Sequence, residues 1–285
     1  MRALLFPGQG AQRVGMGTEL FDRYSSLCDD ASNVLGYDLV AICRDVSGAL
    51  LRRTEYAQPA IVFVSALAHL DVITSGTRID YYAGHSLGEY NALIAAGSVD
   101  LMSCLKLVSL RGKAMSTIND GGMLAIFGFS RETVFQVIQD SGLGAVYVAN
   151  HNSDSQIVVA GDREMLKQCA RRMTDAGAKK IVPLNVSGPF HSPLMAPAQK
   201  EFARNLLDFT FGPFTAPIVS SVTGKSLDPF EVPAVLRTQI SAPVEWVAAV
   251  RQLKKYGVSL IDEVNGNTLT QFNKDISLFE DGVHV

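Results

Sequence analysis

Gly84-His85-Ser86-Leu87-Gly88 spells G-x-S-x-G, a spacing that lets a serine hydroxyl act as a nucleophile. The motif demands a strand before it and a helix after it. Residues 79–83 (IDYYA) suit the strand, and residues 87–96 (LGEYNALIAA) suit the helix. A serine at so sharp a turn needs neighbours without side chains, because the backbone doubles back on itself; Gly84 and Gly88 supply that room. The hydroxyl then projects from the sheet, and the free N–H groups at the helix start can meet a developing oxyanion. The plainer alternative is a helix-capping serine between unrelated glycines, which leaves the preceding strand unexplained.

A serine nucleophile needs a base, and the chain has five histidines. His284 falls in what reads as a tail. His69 lies inside an apolar helix, where a satisfied core histidine is expected. His85 adjoins Ser86, but neighbours on a sharp turn point different ways. His151 is read in a turn between two strands. His191, in SGPFHSPLM, follows the last strand of a compact subdomain, where the chain returns to the larger body and a cleft is expected. His191 is therefore the favoured base.

Arg111 is the third residue with chemical meaning. Leu101, Cys104, Val108, Arg111 and Met115 share one helical face, with Lys106, Ser109 and Lys113 opposite. A guanidinium in an apolar stripe must be paired or it costs several kcal/mol. The spacing leaves two readings open: a structural ion pair or snorkelling side chain, or a fork that receives a substrate carboxylate.

The elements that must hold these residues follow from the apolar pattern. Ala3 to Phe6 reads as a buried strand stopped by Pro7-Gly8. Residues 18–50 read as helices broken near Gly36. Residues 59–70 read as a buried helix with Pro59 in its first turn. Beyond residue 122 the pattern changes. Strand 123–129, helix 131–140, strands 146–149 and 156–160, helix 163–176 and strand 180–186 make the β-α-β-β-α-β order of a split βαβ, ferredoxin-like unit. The expected organisation is a large domain of residues 1–121 and 188–285, interrupted by a small domain of residues 122–187.

Of the 285 residues, 47% are hydrophobic and 19% charged, which excludes a disordered chain. A net charge of −3 offers no basic excess for general nucleic-acid binding. Cys28, Cys43, Cys104 and Cys169 lack zinc-ligand spacing and give no disulfide framework, so no metal is expected. The N-terminus lacks a signal-peptide core, and the apolar runs fall short of the ~18 residues that cross a bilayer. The expected setting is the cytoplasm, with no membrane partner.

The chain resembles malonyl-CoA:acyl carrier protein transacylases, and most of all the discrete, trans-acting acyltransferases of polyketide pathways. The matching segments are residues 6–10 (FPGQG), 58–60 (QPA), 84–90 (GHSLGEY), 111–113 (RGK) with Met115, Asn150 with 156–159 (QIVV), and 190–192 (FHS), with a partial match at 239–246 (QISAPVEW). The resemblance implies an α/β fold, an α/β-hydrolase-like large domain with an inserted ferredoxin-like small domain. It implies Ser86 as nucleophile and His191 as base, with the backbone N–H groups of Gln9 and Leu87 as oxyanion hole. It further implies Arg111 as carboxylate receptor, with Gln58, Met115 and Phe190 lining the substrate site. The backbone carbonyl of Gln239 takes the place of an aspartate behind the histidine. Two positions depart from the family pattern: Pro189 stands where a small residue is usual, and Asn265-Gly266-Asn267 replaces Gly-Pro-Gly.

The implied reaction moves a malonyl group from malonyl-CoA, through an ester on Ser86, to the phosphopantetheine thiol of an acyl carrier protein. It requires no metal or redox cofactor, and the chain is expected to act as a monomer. Alternatives are transfer of another carboxylated extender unit, an acyl carrier protein as donor, an editing acyl hydrolase, and an inactive docking scaffold. Arg171, Arg172, Lys179 and Lys180 either steer an acidic carrier protein or form an ordinary solvated face.

Overall fold

The computed structural model describes residues 1–277, so His284 lies outside the described residues. The chain begins with β1 (Arg2–Phe6), α1 (Thr18–Phe21), α2 (Ser25–Leu35), α3 (Leu39–Arg44), α4 (Thr54–Thr74), β2 (Tyr81–Gly84), α5 (Gly88–Ala95) and α6 (Leu101–Ser116). It continues through β3 (Gly122–Phe127), α7 (Arg131–Asp140), β4 (Val146–His151), β5 (Gln156–Gly161), α8 (Arg163–Asp175) and β6 (Lys180–Pro183). It ends with α9 (Ala196–Asn205), β7 (Ile218–Ser220), α10 (Val232–Gln239), α11 (Trp246–Lys255), β8 (Leu260–Glu263) and α12 (Thr268–Lys274).

Four short strands form a parallel sheet in the order β7-β2-β1-β8. A parallel sheet is covered on both faces, and the alternation along its strands divides the core accordingly. Ala3, Leu5 and Ala83 pack with Val247, Val250 and Leu253 of α11. Leu4, Phe6 and Tyr82 pack with the buried side chains of α4, α5 and α6. The second sheet, β4-β5-β3-β6, is antiparallel throughout. With the two crossover helices this is the split βαβ order expected from the sequence. Leu124 and Ile126 join Val134, Ile138 and Leu166 under α7 and α8. Met123, Ala125, Val158 and Ala160 on the opposite face join the main core. The fold is thus α/β, with a separate small sheet lodged against the larger body.

The two sheets are stitched together next to the cleft. Val244 adds to the β4 edge: its N–H donates to the Ala149 carbonyl (2.8 Å), and the His151 N–H donates to the Val244 carbonyl (2.9 Å). Arg131 pairs with Glu245 at 2.7 Å, and Arg251 pairs with Asp154 at 3.0 Å.

Several local readings need correction. Pro59 does not open its helix: α4 starts at Thr54, so the proline lies within it. Built this way, α4 has 21 residues and is long and apolar enough to cross a membrane, although no single apolar run is. Two-thirds of its most apolar stretch is buried inside the protein, the behaviour of a core helix. Ser109 is buried, not solvated, because α6 is enclosed by α2, α4 and α9; Lys106 and Lys113 do face solvent. His151 ends β4 instead of sitting in the following turn, because it pairs with Ile157 of β5 and its N–H donates to the Val244 carbonyl. Lastly, β6 stops at Pro183, short of the expected Val186.

Candidate active site

Ser86 sits between β2 and α5 with φ 50°, a left-handed conformation that non-glycine residues rarely adopt. The helix begins at Gly88, not at the serine. A Cβ on Gly84 would lie 2.0 Å from the Gly88 carbonyl carbon, and one on Gly88 would lie 2.0 Å from the Phe6 carbonyl oxygen. Both glycines are therefore required by backbone-to-backbone contact. The Ser86 N–H donates to Ser221 Oγ at 3.2 Å, which ties the turn to the end of β7.

Ser86 Oγ lies 2.8 Å from His191 Nε2. Behind the ring, His191 Nδ1 is 3.0 Å from the carbonyl oxygens of both Gln239 and Ala242. Carbonyls only accept, so Nδ1 carries the proton and Nε2 is the acceptor for the serine hydroxyl. The Gln239 carbonyl thus lies behind the ring, the position that the resemblance implies, and the Ala242 carbonyl is an addition that no motif signalled. His191 itself has φ 60°, and its N–H donates to the Ile240 carbonyl at 3.1 Å. Burial pushes its pKa down to about 3, the Arg111 charge adding to the effect, so the ring is held neutral.

Arg111 is 1% exposed. Its Nη1 donates to Gln58 Oε1 (2.7 Å), and its Nη2 donates to Gln239 Oε1 (3.1 Å) and Ser86 Oγ (3.3 Å). Its Nε has no partner, the Tyr90 ring lies 5.5 Å from the guanidinium carbon, and no carboxylate among the described residues pairs with it. Gly112 makes this placement feasible. A Cβ there would come within 2.9 Å of Glu55 Cα, so only glycine lets α6 approach the first turn of α4 and bring Arg111 to Gln58. Gln58 Nε2 in turn donates to Met115 Sδ at 3.4 Å.

A cavity of about 210 Å³ opens at Ser86 and His191. Gln9 and Phe190 line it from the larger body, and Met123 and Asn150 line it from the small sheet. Arg111, Gln58 and Met115 are brought together behind Ser86 and do not line this cavity. The backbone N–H groups of Gln9 and Leu87 have no partner among the described residues, leaving both free for an oxyanion.

The departures from the family pattern are accommodated. Asn265 takes φ 57°, a conformation asparagine tolerates. Its Nδ2 donates to Ser65 Oγ at 3.2 Å, pinning the loop to α4. Pro189 is buried, and its carbonyl accepts from Ser192 Oγ at 2.6 Å. Of the other histidines, His69 Nε2 meets Tyr82 Oη in the core (3.1 Å), and His85 Nε2 meets Asn152 Oδ1 (2.8 Å), away from the serine. Arg171, Arg172, Lys179 and Lys180 are all exposed. Sequence reasoning passed over Glu89, which is fully buried in the first turn of α5. The signal was present: residues 87–96 are apolar nearly all round, so a charge among them is buried too.

Residues 3–262 match the family model described as acyl transferase domain. The chain is 38% identical over 275 residues to the polyketide biosynthesis malonyl CoA-acyl carrier protein transacylase BaeC of Bacillus velezensis, covering 95% of this chain and 94% of that one. It is 39% identical to the polyketide biosynthesis protein ThaF of Burkholderia thailandensis over 97% of its own length, but spans only 24% of that longer protein. Among solved structures it is similar to the malonyl-transacylase in complex with a type II polyketide acyl-carrier protein (PlMCAT:AntF). The TM-score there is 0.92, with 34% identity and coverage of 96% of this chain and 92% of that one. A serine elbow, a carbonyl-held histidine and a match over nearly the whole length lead to one conclusion: the chain belongs to the acyl transferase domain family.

Proposed function

We propose that the chain transfers a malonyl group from malonyl-CoA to the phosphopantetheine thiol of an acyl carrier protein, in polyketide biosynthesis. The observation that carries this reading is Arg111, a buried guanidinium with no carboxylate partner among the described residues, 3.3 Å from Ser86 Oγ. An acyl group bearing its own carboxylate brings an anion into direct contact with the guanidinium; an acetyl group leaves it without one.

His191 Nε2 takes the proton as Ser86 Oγ attacks the thioester carbonyl. The N–H groups of Gln9 and Leu87 hold the oxyanion, each worth about 3 kcal/mol. As the tetrahedral species collapses, the C–S bond breaks and the proton passes from His191 to the departing CoA sulfur. The pantetheine thiol of the carrier then retraces these steps on the Ser86 ester. Every step is assigned to side chains and backbone of one chain, and this reading gives no role to a cofactor or a second subunit and sets the reaction in the cytoplasm. Phe190, 4% exposed beside His191, crowds an α-methyl group, a preference worth only about 1–3 kcal/mol. The division into residues 1–121 and 188–285 around an inserted 122–187 fits this chemistry, since the cleft lies on the seam. The deciding experiment mixes the chain with malonyl-CoA and holo carrier protein and weighs the carrier. Malonylated carrier supports the transferase; free malonate with unmodified carrier points to a hydrolase.

Because His191 is held neutral far below the ordinary 6.5 of an imidazole, its base form persists as pH falls. The kcat/KM for acetylation of Ser86 by acetyl-CoA, which brings no carboxylate, is expected to stay level from pH 8 to about pH 5. A fall centred near 6.5 that persists in Glu89→Gln contradicts the burial argument.

Arg171, Arg172, Lys179 and Lys180 steer the acidic carrier, since a net charge of −3 gives no global attraction. Transfer to carrier protein is expected to slow steeply between 50 and 500 mM salt, whereas transfer to free pantetheine stays nearly constant. Equal salt slopes for the two acceptors dispose of the steering.

A further inference from the structure

Among the described residues, Glu89 is the only buried carboxylate and Arg111 the only buried guanidinium or ammonium group. The acyl-transfer steps use the second and leave the first without a task. The two do not touch; Gln239 stands between them. Arg111 Nη2 donates to Gln239 Oε1 at 3.1 Å, and Gln239 Nε2 donates to Glu89 Oε2 at 2.6 Å. The same Nε2 also donates to the Ser86 carbonyl at 3.1 Å. A cation and an anion thus hold opposite ends of one amide and fix which way it faces. Glu89 Oε1 has no hydrogen-bond partner among the described residues, so one oxygen of this carboxylate is poorly served as an anion and free to take a proton.

The charged and titratable groups facing Glu89 are few. Arg111 comes from α6, Tyr90 is its neighbour on α5, and His191 lies across Gln239. Ser220 from β7 and Gln239 from α10 do not titrate. With the acyl site vacant, or filled by an uncharged acyl group, Arg111 and ionised Glu89 balance. A malonyl carboxylate on Arg111 turns that balance into a buried net negative charge, which is costly in a low dielectric.

We propose that Glu89 is a switchable counter-charge for Arg111, ionised until a carboxylated acyl group occupies Ser86 and then protonated from solvent. This rests on Arg111 binding the acyl carboxylate. The proton balance is simple: acylation moves the Ser86 proton to the CoA sulfur, and the extra proton comes from the medium to Glu89. Burial already raises the Glu89 pKa to about 7, against the pull of Ser220, Gln239 and Arg111, so a second nearby anion need shift it only modestly.

The test counts protons. The whole chain is acylated at pH 8 in weak buffer with a pH indicator, once by malonyl-CoA and once by acetyl-CoA, with acyl-enzyme measured by intact mass. Release from the CoA thiol is the same in both arms and subtracts out. His191, even returned to its ordinary pKa of about 6.5, is neutral at pH 8 and does not contribute. The malonyl arm is expected to take up more protons per acylated Ser86 than the acetyl arm, by an excess of up to about one. Glu89→Gln is expected to erase the difference. In the wild type, KM for malonyl-CoA is expected to rise by up to about tenfold per pH unit above pH 7, and in Glu89→Gln to stay flat. A wild type with no excess uptake overturns the proposal without any variant, and so does an undiminished excess in Glu89→Gln. Arg111→Ala separates the two ideas. If it keeps the malonyl preference, the carboxylate reading itself has failed. If it loses that preference while the wild type takes up no extra proton, only the role of Glu89 has failed.

Discussion

Ser86→Ala is expected to leave a mixture with malonyl-CoA at its unmodified mass, while the wild type gains one malonyl group. The variant removes the hydroxyl that meets both His191 Nε2 (2.8 Å) and Arg111 Nη2 (3.3 Å). In serine enzymes that act through a nucleophile and its base, loss of either costs about 10⁶ in rate, and losing both costs little more. His191→Ala and the double variant are therefore expected to match Ser86→Ala in carrier malonylation, within about tenfold. His69→Ala and His151→Ala are expected to retain most activity, because neither ring reaches the serine: His69 is satisfied by Tyr82, and His151 ends an edge strand. A malonyl adduct that persists in Ser86→Ala removes the serine from the mechanism. A crippled His151→Ala moves the base elsewhere.

Arg111→Ala is expected to invert the choice of acyl group. Malonyl transfer should fall by about 3–5 kcal/mol, roughly 10²–10³·⁵-fold, the cost of stranding one partner of a buried charged pair. Acetyl transfer should fall far less, or rise, since no carboxylate is left unpaired. Arg111→Lys is expected to recover little, because a point charge cannot replace a fork that also donates to Gln58 and Gln239. The ratio of the two rates is the informative quantity. A purely structural arginine, whose loss loosens α6 against α4, harms both substrates alike. A malonyl-to-acetyl preference that survives Arg111→Ala assigns it that structural role.

How much of this was legible depends on how far apart the participants lie. The elbow could be read because strand, glycines, serine and helix are contiguous, and local sterics dictate their types. The split βαβ unit could be read for the same reason: its six elements follow in order, and the alternation of residues 123–126 divides cleanly between two faces. Arg111 could be placed on the buried face of its helix, but not told apart from a structural ion pair, since that depends on the absence of a carboxylate partner among the described residues. Other features rest on segments that meet only in three dimensions. The second carbonyl behind His191 comes from Ala242, 51 residues on. The burial of Ser109 and the interior position of Pro59 depend on which helices enclose α6 and where α4 starts. The left-handed backbone of His191 has no compositional mark at all, since the residue usually found there is glycine or asparagine. Glu89 was visible as a charge in an apolar helix, but its relation to Arg111 runs through Gln239, 150 residues away.

The parallel sheet carries a consequence for how the molecule assembles. β1, made first, lies in the interior of that sheet, and one of its neighbours, β8, is the last strand among the described residues: Arg2 is in register with Leu260. The small sheet, by contrast, is complete within residues 122–183 and needs no later strand. During synthesis the small unit can close on its own contacts, while an edge of β1 waits for nearly the whole chain to emerge. An apolar strand with unpaired N–H and C=O groups invites pairing with other chains. The vulnerable species is therefore a nascent or C-terminally cut chain with an ordered middle and an open β1. Such chains are expected to aggregate through residues 2–6, although the finished protein covers both flanks of that strand.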